Sequence, residues 1–470
     1  MKVEQIYTGC LAQGAYYIES KGEAAIIDPL RETKPYTDKA EKEGAKIKYV
    51  FETHFHADFV SGHISLAEKT GAKIVFGPTA KPDYEVIVAE DNQVFQLGDL
   101  QIKVLHTPGH TQESTTFLLI DEDGKNHAIF SGDTLLIGDV GRPDLAVKSD
   151  LTQEDLASFL YDSLRNQIMS LENEVIVYPG HGAGSACGKN MSSETVDTLG
   201  NQKETNYALR SDMTREEFIK EVTDGLVNPP QYFPKNVSMN KFGYEDIEKV
   251  MEKGTVALNT KMFKEVVNAE GALILDTRDP QTFKDGYIPN SINIGINGGF
   301  APWVGTLIVD SKQPIVLITE EGKEKEVVTR LSRVGYDNTL GFLARGIEAW
   351  TESGGELNKI ESISTKEFGE RLNKSITVLD ARKEGEYFSE RLENENVKNF
   401  PLDFINENMN ELDKNETYHI HCAGGYRSMI MSSILKSRGF KNVIDIAGGF
   451  KAIKEEGLAV TQYACPSTML

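Results

Sequence analysis

Thr53-His54-Phe55-His56-Ala57-Asp58-Phe59 places two imidazoles and a carboxylate within five residues, directly after the apolar run Tyr49-Val50-Phe51. Such a run predicts a buried strand, so the motif lies where a strand ends and a loop begins. A His or Asp recurs in a short glycine-containing turn at Pro108-Gly109-His110-Thr111, Ser131-Gly132-Asp133-Thr134 and Pro179-Gly180-His181-Gly182. Four such turns in this order predict one metal centre gathered from four loops.

These residues resemble the metallo-β-lactamase fold family, which carries H-x-H-x-D-H followed by separate His, Asp and His ligands. The resemblance covers residues 1–240 and implies an αββα sandwich, in which two β-sheets pack face to face with helices outside and a metal at one edge. The dinuclear hydrolases of that family have a histidine after the aspartate, where this chain has Phe59. Because phenylalanine cannot bind a metal, this departure favours a mononuclear centre.

The resemblance implies a ligand set and a group of residues behind it. The implied metal ligands are His54, His110 and Asp133. The residues expected to orient these ligands, or a water molecule, are His56, Asp58 and His181.

Length and charge limit the class of protein. A chain of 470 residues predicts about three domains. The formal charge of −22 argues against nucleic acid and anionic membranes as partners. No apolar run approaches the ~18 residues of a membrane span, and no signal peptide is expected at the N-terminus. The scattered cysteines Cys10, Cys187, Cys422 and Cys465 form no disulfide framework and favour a reducing, cytoplasmic location.

Apolar periodicity between the metal turns predicts helices over residues 37–43, 60–70 and 152–171, and a capping box predicts another helix after Thr214. His63, on the second of these helices, is interpreted as a structural histidine. In the loop 135–148, Arg142 and Asp144 are candidates for substrate contact, with a surface ion pair as the alternative. Cys187 is interpreted as a small buried thiol.

The rest of the chain is an internal repeat with an offset of about 103 residues. Leu275-Asp276-Thr277-Arg278 recurs as Leu379-Asp380-Ala381-Arg382. Each unit alternates short apolar strands with helices, which predicts small α/β domains with parallel sheets. The two units, 255–357 and 361–461, resemble rhodanese domains.

The second repeat contains Cys422-Ala423-Gly424-Gly425-Tyr426-Arg427-Ser428 between a strand and a helical run. A cysteine in this position has its thiolate stabilised by the helix dipole and free amides. The loop matches the rhodanese C-x-x-G-x-R pattern, which implies that Cys422 is catalytic and carries a persulfide. The predicted anion-binding residues are Gly424, Gly425, Arg427 and Ser428. The first repeat has no cysteine, so we expect a structural or docking role for it.

Two histidines and one carboxylate leave open cis positions on a metal, as in non-haem Fe(II) oxygenases. Together with the sulfur-transfer repeat, this makes the chain resemble bacterial fusions of a persulfide dioxygenase with rhodanese domains. The resemblance implies one Fe(II) per chain, with zinc as the alternative. It also implies that dioxygen oxidises a low-molecular-weight thiol persulfide to sulfite, and that Cys422 transfers sulfur to give thiosulfate in sulfide detoxification.

Two other readings stay open at this level. The first is a zinc-dependent glyoxalase II-like thioester hydrolase or lactonase fused to a sulfurtransferase. The second is a non-enzymatic sulfur carrier or sensor with a structural metal. The sequence does not distinguish glutathione, coenzyme A and bacillithiol as the thiol carrier, and it leaves open whether copies form a homo-oligomer.

Overall fold

The computed structural model describes residues 1–147, 150–189, 191–372 and 376–464, so Cys465 lies outside the described residues. The chain divides into two compact units, Met1–Ile247 with Ser332–Gly335 and Glu248–Leu331 with Tyr336–Leu470. The domain limits expected from the sequence remain predictions. Among the described residues, no helix has the length and apolar character needed to cross a membrane.

The first unit contains two six-stranded sheets. The strands of the first sheet, in spatial order, are Lys2–Thr8, Gln13–Ser20, Glu23–Ile27, Lys46–Glu52, Lys73–Phe76 and Ile87–Val88. Those of the second are Asp197–Thr198, Ile176–Pro179, Asn126–Gly132, Thr115–Ile120, Leu100–His106 and Val94–Leu97. The last three pairings of the first sheet are parallel, and the second sheet is antiparallel apart from the pair Asn126–Gly132 with Ile176–Pro179.

The core of this unit lies between the two sheets. Alternate residues of the first sheet, such as Tyr16 and Phe51, pack against Phe117 and Phe130 of the second. Helices cover the outer faces, where Tyr36 packs on the first sheet and Leu160 on the second. This arrangement is the αββα sandwich that the resemblance implies.

The first unit contains the four predicted helices, with limits that differ by a few residues, and further helices that the sequence did not predict. They are Lys34–Glu43, His63–Thr70, Gln153–Ser163, the π-helical turn Leu164–Ile168, Leu199–Thr205, the 3-10 turn Tyr207–Leu209, Arg215–Thr223 and Phe233–Phe242. Capping boxes at Thr152 and Thr214 are both formed. The helix predicted over 60–70 starts later, at His63, because residues 53–62 form the metal loop instead.

The second unit contains the two repeats, each built on a five-stranded parallel sheet. The strands, in spatial order, are Ala257–Leu258, Thr339–Leu343, Ile315–Ile318, Leu273–Asp276 and Ile292–Asn293 in the first, and Glu361–Ile363, Asn442–Ile446, Thr417–His421, Thr377–Asp380 and Val397–Asn399 in the second. The strand order is the same in both, which confirms the internal repeat predicted from the sequence.

Helices surround both parallel sheets. In the first repeat they are Ile247–Gly254, Thr260–Glu270, Pro280–Asp285, Phe300–Leu307, Glu324–Arg333 and Gly346–Glu352. In the second they are Thr365–Arg371, Glu384–Ser389, Ile405–Asn408, Tyr426–Ser437 and Gly449–Glu455, with 3-10 turns at Leu402–Phe404 and Met409–Glu411. The repeated Asp-x-Arg has a structural role in each unit, since Arg278 pairs with Asp276, and Arg382 with Asp380, through buried bonds of 2.6 Å.

Candidate metal centre and sulfur-transfer loop

The four turns singled out in the sequence meet at one edge of the sandwich. Ligand atoms of His54, His110 and Asp133 all lie within 4.8 Å of one another, and all three side chains are buried. Nε2 of His110 lies 3.4 Å from Oδ2 of Asp133. Nε2 of His181 lies 3.7 Å from the other oxygen of Asp133. The carboxylate of Asp133 therefore stands at the centre of the cluster.

The glycines of these turns allow the close approach. A Cβ on Gly132, whose φ is +50°, would lie 2.6 Å from the Thr53 hydroxyl oxygen. A Cβ on Gly180 would lie 2.6 Å from Oδ1 of Asp133. Neither turn therefore has room for a side chain, and the left-handed conformation at Gly132 disfavours one as well.

Each histidine of the cluster is oriented by a bond on its far nitrogen. Nδ1 of His110 donates to the Arg142 carbonyl oxygen at 2.8 Å, which leaves Nε2 facing Asp133. Nδ1 of His181 donates to the Ala12 carbonyl oxygen at 3.2 Å. Nδ1 of His54 lies 3.0 Å from the Thr53 hydroxyl. Bonds of this kind select the tautomer and fix the ring of a metal-binding histidine.

The inner face of the cluster is rich in acceptors and poor in donors. Buried atoms without a hydrogen-bond partner in the described chain include both oxygens of Asp133, Oδ1 of Asp58, Nδ1 of His56 and Nε2 of His181. Nε2 of His56 lies 3.1 Å from Oδ1 of Asp28. Buried polar groups are rarely left unsatisfied, because each costs about 1–3 kcal/mol. A cation among these atoms would satisfy several of them together, so these oxygen and nitrogen atoms are suitable ligands for a metal ion.

The protonation of the imidazoles follows from burial and nearby charge. Burial, with His56, His110 and His181 close by, holds the pKa of His54 well below its ordinary value, so its ring is neutral as a ligand requires. Burial opposes the charged form of His181, but the carboxylates of Asp133 and Asp58 outweigh it and raise the pKa of this ring.

The residues predicted to stand behind the ligands also come together. His56, Asp58 and His181 form a second buried group within 4.8 Å, and Nε2 of His181 lies 3.3 Å from Asp58. Phe59 is fully buried, and its ring centre lies 4.3 Å from that of His56. The second group thus exists without the histidine that Phe59 replaces, and the mononuclear centre stays a prediction.

The burial of Cys187 confirms its interpretation as a small buried thiol, but its closeness to the metal cluster and the role of Asp28 were not predicted. Sγ of Cys187 lies within 4.8 Å of ligand atoms of Asp133 and His181, and burial, then Asp133 and Asp58, raise the pKa of the thiol well above its usual range. Asp28 accepts hydrogen bonds from the amide and hydroxyl of Thr53, both at 2.8 Å. Their signals were present, since Cys187 shares a loop with His181 and Asp28 directly follows the buried strand Glu23–Ile27.

A further carboxylate, Glu52, lies beside Asp28 and His56 in a third buried group. Burial, and then the nearby charge of Asp28, raise the pKa of Glu52 well above its ordinary value. Its Oε1 accepts a hydrogen bond of 2.7 Å from the Ser61 hydroxyl. No motif in the sequence marked this residue.

Arg142 and Asp144 form a bidentate pair, with bonds of 2.6 and 2.7 Å. The Arg142 guanidinium also donates to the carbonyl oxygens of Ala186 and Val227, and only 5% of the residue is exposed. Their contact with substrate stays a prediction, because the observed bonds fasten the segment whose carbonyl orients His110.

In the second repeat, Cys422 follows the strand Thr417–His421 and precedes the helix Tyr426–Ser437. The Gly425 N–H donates to Sγ of Cys422 at 3.1 Å, and Gly425 has a left-handed φ of +100°. Gly424 is exposed beside it. This is the arrangement that the sequence predicts for a stabilised thiolate.

The other two predicted anion-binding residues have partners inside the protein. Arg427 makes a bidentate pair with Glu386, at 2.6 and 2.8 Å. Ser428 is fully buried, and its hydroxyl donates to Asp445 at 2.7 Å. A cavity of about 560 Å³ lies alongside, lined in part by Ala423 and Lys451. Their contact with an anion stays a prediction.

The corresponding loop of the first repeat, Thr319-Glu320-Glu321-Gly322-Lys323, follows the strand Ile315–Ile318. The Glu324 carboxylate accepts from the Gly322 N–H at 3.2 Å, where the second repeat has a thiol as acceptor. This loop therefore offers no sulfur nucleophile.

Two family profiles match the chain, the Metallo-beta-lactamase superfamily over residues 8–181 and the Rhodanese-like domain over residues 259–353 and 364–456. The mitochondrial persulfide dioxygenase ETHE1 of Bos taurus is 31% identical over 223 residues, covering 46% of this chain and 78% of that protein. The cytoplasmic hydroxyacylglutathione hydrolase of Arabidopsis thaliana is 33% identical over 177 residues, covering 37% of this chain and 65% of that protein.

A solved structure extends the similarity beyond the first domain. The metallo-beta-lactamase from Staphylococcus aureus subsp. aureus COL has a TM-score of 0.63 and 32% identity, and the match covers 73% of this chain and 98% of that one. Fold, sites and similarities define a metallo-hydrolase-fold enzyme joined to rhodanese-like domains. The chain belongs to the metallo-β-lactamase superfamily, and two rhodanese-like domains follow that fold.

Proposed function

We propose that this chain is a persulfide dioxygenase coupled to sulfur transfer. The observation that carries the proposal is the buried group of His54, His110 and Asp133 in the same chain as the Cys422 loop. The similarity to the bovine persulfide dioxygenase supports the first activity. The overall reaction takes a thiol persulfide, dioxygen and water to the free thiol and sulfite, with two sulfite oxygens from dioxygen and one from water.

His54, His110 and Asp133 would hold one Fe(II), which when bound would supply coordination sites for dioxygen and for the outer sulfur of the persulfide. The low pKa of His54 keeps its ring unprotonated. The bond from His110 to the Arg142 carbonyl holds that ring toward Asp133. His56, Asp58 and His181 would hold a water molecule or orient the ligands.

At the second site, the Cys422 thiolate attacks the outer sulfur of a thiol persulfide. The sulfur–sulfur bond breaks, the thiol leaves as its thiolate, and Cys422 carries the new persulfide. Sulfite then attacks the outer sulfur, which yields thiosulfate and returns the Cys422 thiolate. The Gly425 N–H stabilises that thiolate, and Arg427 adds positive charge beside the loop. A reducing cytoplasm would keep Cys422 in its thiol form.

A zinc-dependent thioester hydrolase of the glyoxalase II type is the second candidate. The group of His56, Asp58 and His181 favours it, because a dinuclear hydrolase needs ligands there. The similarity to the plant hydroxyacylglutathione hydrolase supports it too.

Protein purified without oxygen tests the proposal. We expect about one iron per chain, and oxygen uptake only when a persulfide of glutathione, coenzyme A or bacillithiol is added. Asp133→Ala should lose the metal and at least ~100-fold of the oxygen uptake. Asp123→Ala, which removes an exposed carboxylate, is the matched control. Rapid thioester hydrolysis without oxygen uptake would establish the hydrolase instead.

A further inference from the structure

The Cys422 loop is fastened on one side by its own repeat. The Cys422 carbonyl oxygen accepts a hydrogen bond of 2.6 Å from the Phe450 amide. A Cβ on Gly449 would lie 2.4 Å from the same oxygen, so backbone packs directly on backbone there. These contacts fix Cys422 itself but do not touch Gly425, whose N–H points at the sulfur.

The residue after Gly425 reaches out of its repeat and contacts the first one. The Tyr426 hydroxyl donates to the Gly295 carbonyl oxygen at 2.7 Å. Burial raises the pKa of Tyr426, so the hydroxyl keeps the proton that it donates. A Cβ on Gly298 would lie 2.4 Å from two ring carbons of Tyr426. The Tyr426 ring therefore packs on the Gly295–Gly298 turn, the seat of this ring, in space that is open only because residue 298 is glycine.

The seat is itself held in place by the first repeat. Nη1 of Arg330 donates to the Ile296 carbonyl oxygen at 2.7 Å. The same guanidinium pairs with Glu326 at 2.6 Å. The Gly298 amide donates to the Gly295 carbonyl oxygen at 3.4 Å, which closes the turn. The seat for Tyr426 is thus a fastened turn.

The helix that begins at Tyr426 has further contacts with the first repeat. The Asn293 amide donates to the Ser433 hydroxyl oxygen at 2.9 Å. Met429 packs in one apolar cluster with Phe283 and Tyr287. The helix Tyr426–Ser437 is therefore held by the first repeat at its first turn and again farther along.

We propose that the cysteine-free repeat positions the sulfur-transfer loop of the second repeat, with Tyr426 as the positioning residue and the Gly295–Gly298 turn as its seat. The inference rests on the proposed sulfur transfer at Cys422. Tyr426 is bonded directly to Gly425, so movement of its ring re-aims the N–H that faces Sγ. Hydrogen bonds weaken steeply as their angle departs from linear. The first repeat thereby contributes to transfer without a nucleophile of its own.

The test uses the full chain and two measurements. The first is the rate of Cys422 alkylation by iodoacetamide at pH 7, followed by peptide mass spectrometry. The second is kcat and KM for sulfur transfer from thiosulfate to cyanide. Gly298→Ala should lower the alkylation rate and kcat about tenfold, and Tyr426→Phe about fivefold. Each variant loses the hydrogen bond from Tyr426 to Gly295, and one hydrogen bond contributes a free energy of this order. KM for thiosulfate should change less than twofold, because no anion-binding group is removed.

The matched control is Tyr418→Phe, which removes one hydroxyl, bonded to the Asp413 amide at 2.9 Å, from the strand that leads to Cys422. This variant should match the wild type in both measurements. A fall equal to that of Tyr426→Phe would reduce the effect to general destabilisation and overturn the proposal.

A double-mutant cycle locates the contact. In a Tyr426→Ala background, Gly298→Ala should have no further effect, because the ring it displaces is gone. Additive losses, or unchanged alkylation in Gly298→Ala, would overturn the inference. If the wild type transfers no sulfur, the proposed function fails at this site. The coupling measured by alkylation would still support the positioning by the first repeat.

Discussion

At the scale of single residues, Phe59 separates the two candidate activities. It is fully buried and packs on His56, with ring centres 4.3 Å apart. It directly follows Asp58, which forms a buried group with His56 and His181. Phe59 therefore offers no nitrogen ligand to this group, and its ring covers one face of the His56 imidazole.

Phe59→His should restore the missing ligand. We expect bound metal to rise from about one to about two ions per chain, because a fourth donor would join the second group. Metal analysis of the purified protein measures this change. Phe59→Leu removes the ring without adding a ligand and should leave the metal content unchanged. An equal metal content in both variants would show that Phe59 does not limit the second group.

At the scale of elements, the turns that follow strands decide whether the cluster forms. Gly132 ends the strand Asn126–Gly132 with a φ of +50°, and a side chain there would strike Thr53. Gly124 shares the left-handed conformation, with a φ of +77°, but has open space where a Cβ would lie. Comparing alanine variants of Gly132 and Gly124 therefore distinguishes the effect of backbone strain, present in both, from that of steric collision, present only at Gly132.

Gly132→Ala should lose most of the bound metal, because the Asp133 turn must move away from Thr53. Gly124→Ala should bind metal normally. Each variant carries the cost of a left-handed alanine, about 1–2 kcal/mol. Metal content and the free energy of unfolding, measured side by side, test the prediction. Equal metal loss in both variants would refute the collision.

The helix His63–Thr70 begins with a histidine that has no exposed surface. Nε2 of His63 lies 2.6 Å from the Tyr84 hydroxyl oxygen, and its sequence-based interpretation as structural agrees with this burial. Burial, His56 and Arg31 lower the pKa of His63 to about 3. Between this value and the ordinary one near ~6.5, the unfolded chain binds more protons than the folded chain.

The free energy of unfolding should therefore rise with pH from about 3 to ~6.5 and gain nothing more above that. His63 alone should account for about 2 kcal/mol lost between pH 7 and pH 5. His63→Gln should flatten this slope in urea unfolding followed by circular dichroism. Tyr84→Phe keeps the buried ring and should keep the slope, although it is less stable at every pH. An unchanged slope in His63→Gln would contradict the assignment.

At the scale of the whole molecule, the chain combines a metal cluster and a thiol loop that belong to separate compact units. The proposed ligands all precede residue 134, and Cys422 lies in the second rhodanese match, 364–456. The two proposed reactions share sulfite and persulfide but no side chain. Their products should therefore be separable by mutation.

Cys422→Ser should leave oxygen uptake largely intact and shift the product from thiosulfate to sulfite. Arg427→Ala should shift the product in part, with transfer roughly ten- to hundred-fold slower, because the predicted charge-assisted contact between Arg427 and the sulfur anion is lost. Cys10→Ser, at a half-buried thiol of the first unit, is the control. Analysis of the sulfur oxyanions measures the ratio. An unchanged thiosulfate yield in Cys422→Ser would place the transfer elsewhere.

The local patterns of the sequence predicted the fold class and much of the candidate site. Strands, capping boxes and the repeat follow from apolar periodicity and hydrogen-bonding side chains, which act between near neighbours. His54, His110, Asp133 and Cys422 each occur in a turn beside a predicted strand. The turns with His110, Asp133 and His181 follow strands that run in the same direction in one sheet, so their order and spacing place them at one edge. The turn with His54 follows a strand of the other sheet, and the packing of the two sheets brings it to that edge.

Only the tertiary structure decided which other groups share those sites. Cys187 comes within reach of Asp133 and His181, and Glu52 within reach of His56. Tyr426 contacts a glycine turn that begins 131 residues earlier. No motif in the sequence marks the contacts of Glu52 and Tyr426. The partners of Arg427 and Ser428, which are Glu386 and Asp445, could not be predicted from the sequence either. These outcomes depend on the packing of distant segments and on the burial of charge. Both are set by the three-dimensional arrangement of the whole unit, whereas sequence spacing records only what neighbours along the chain can do.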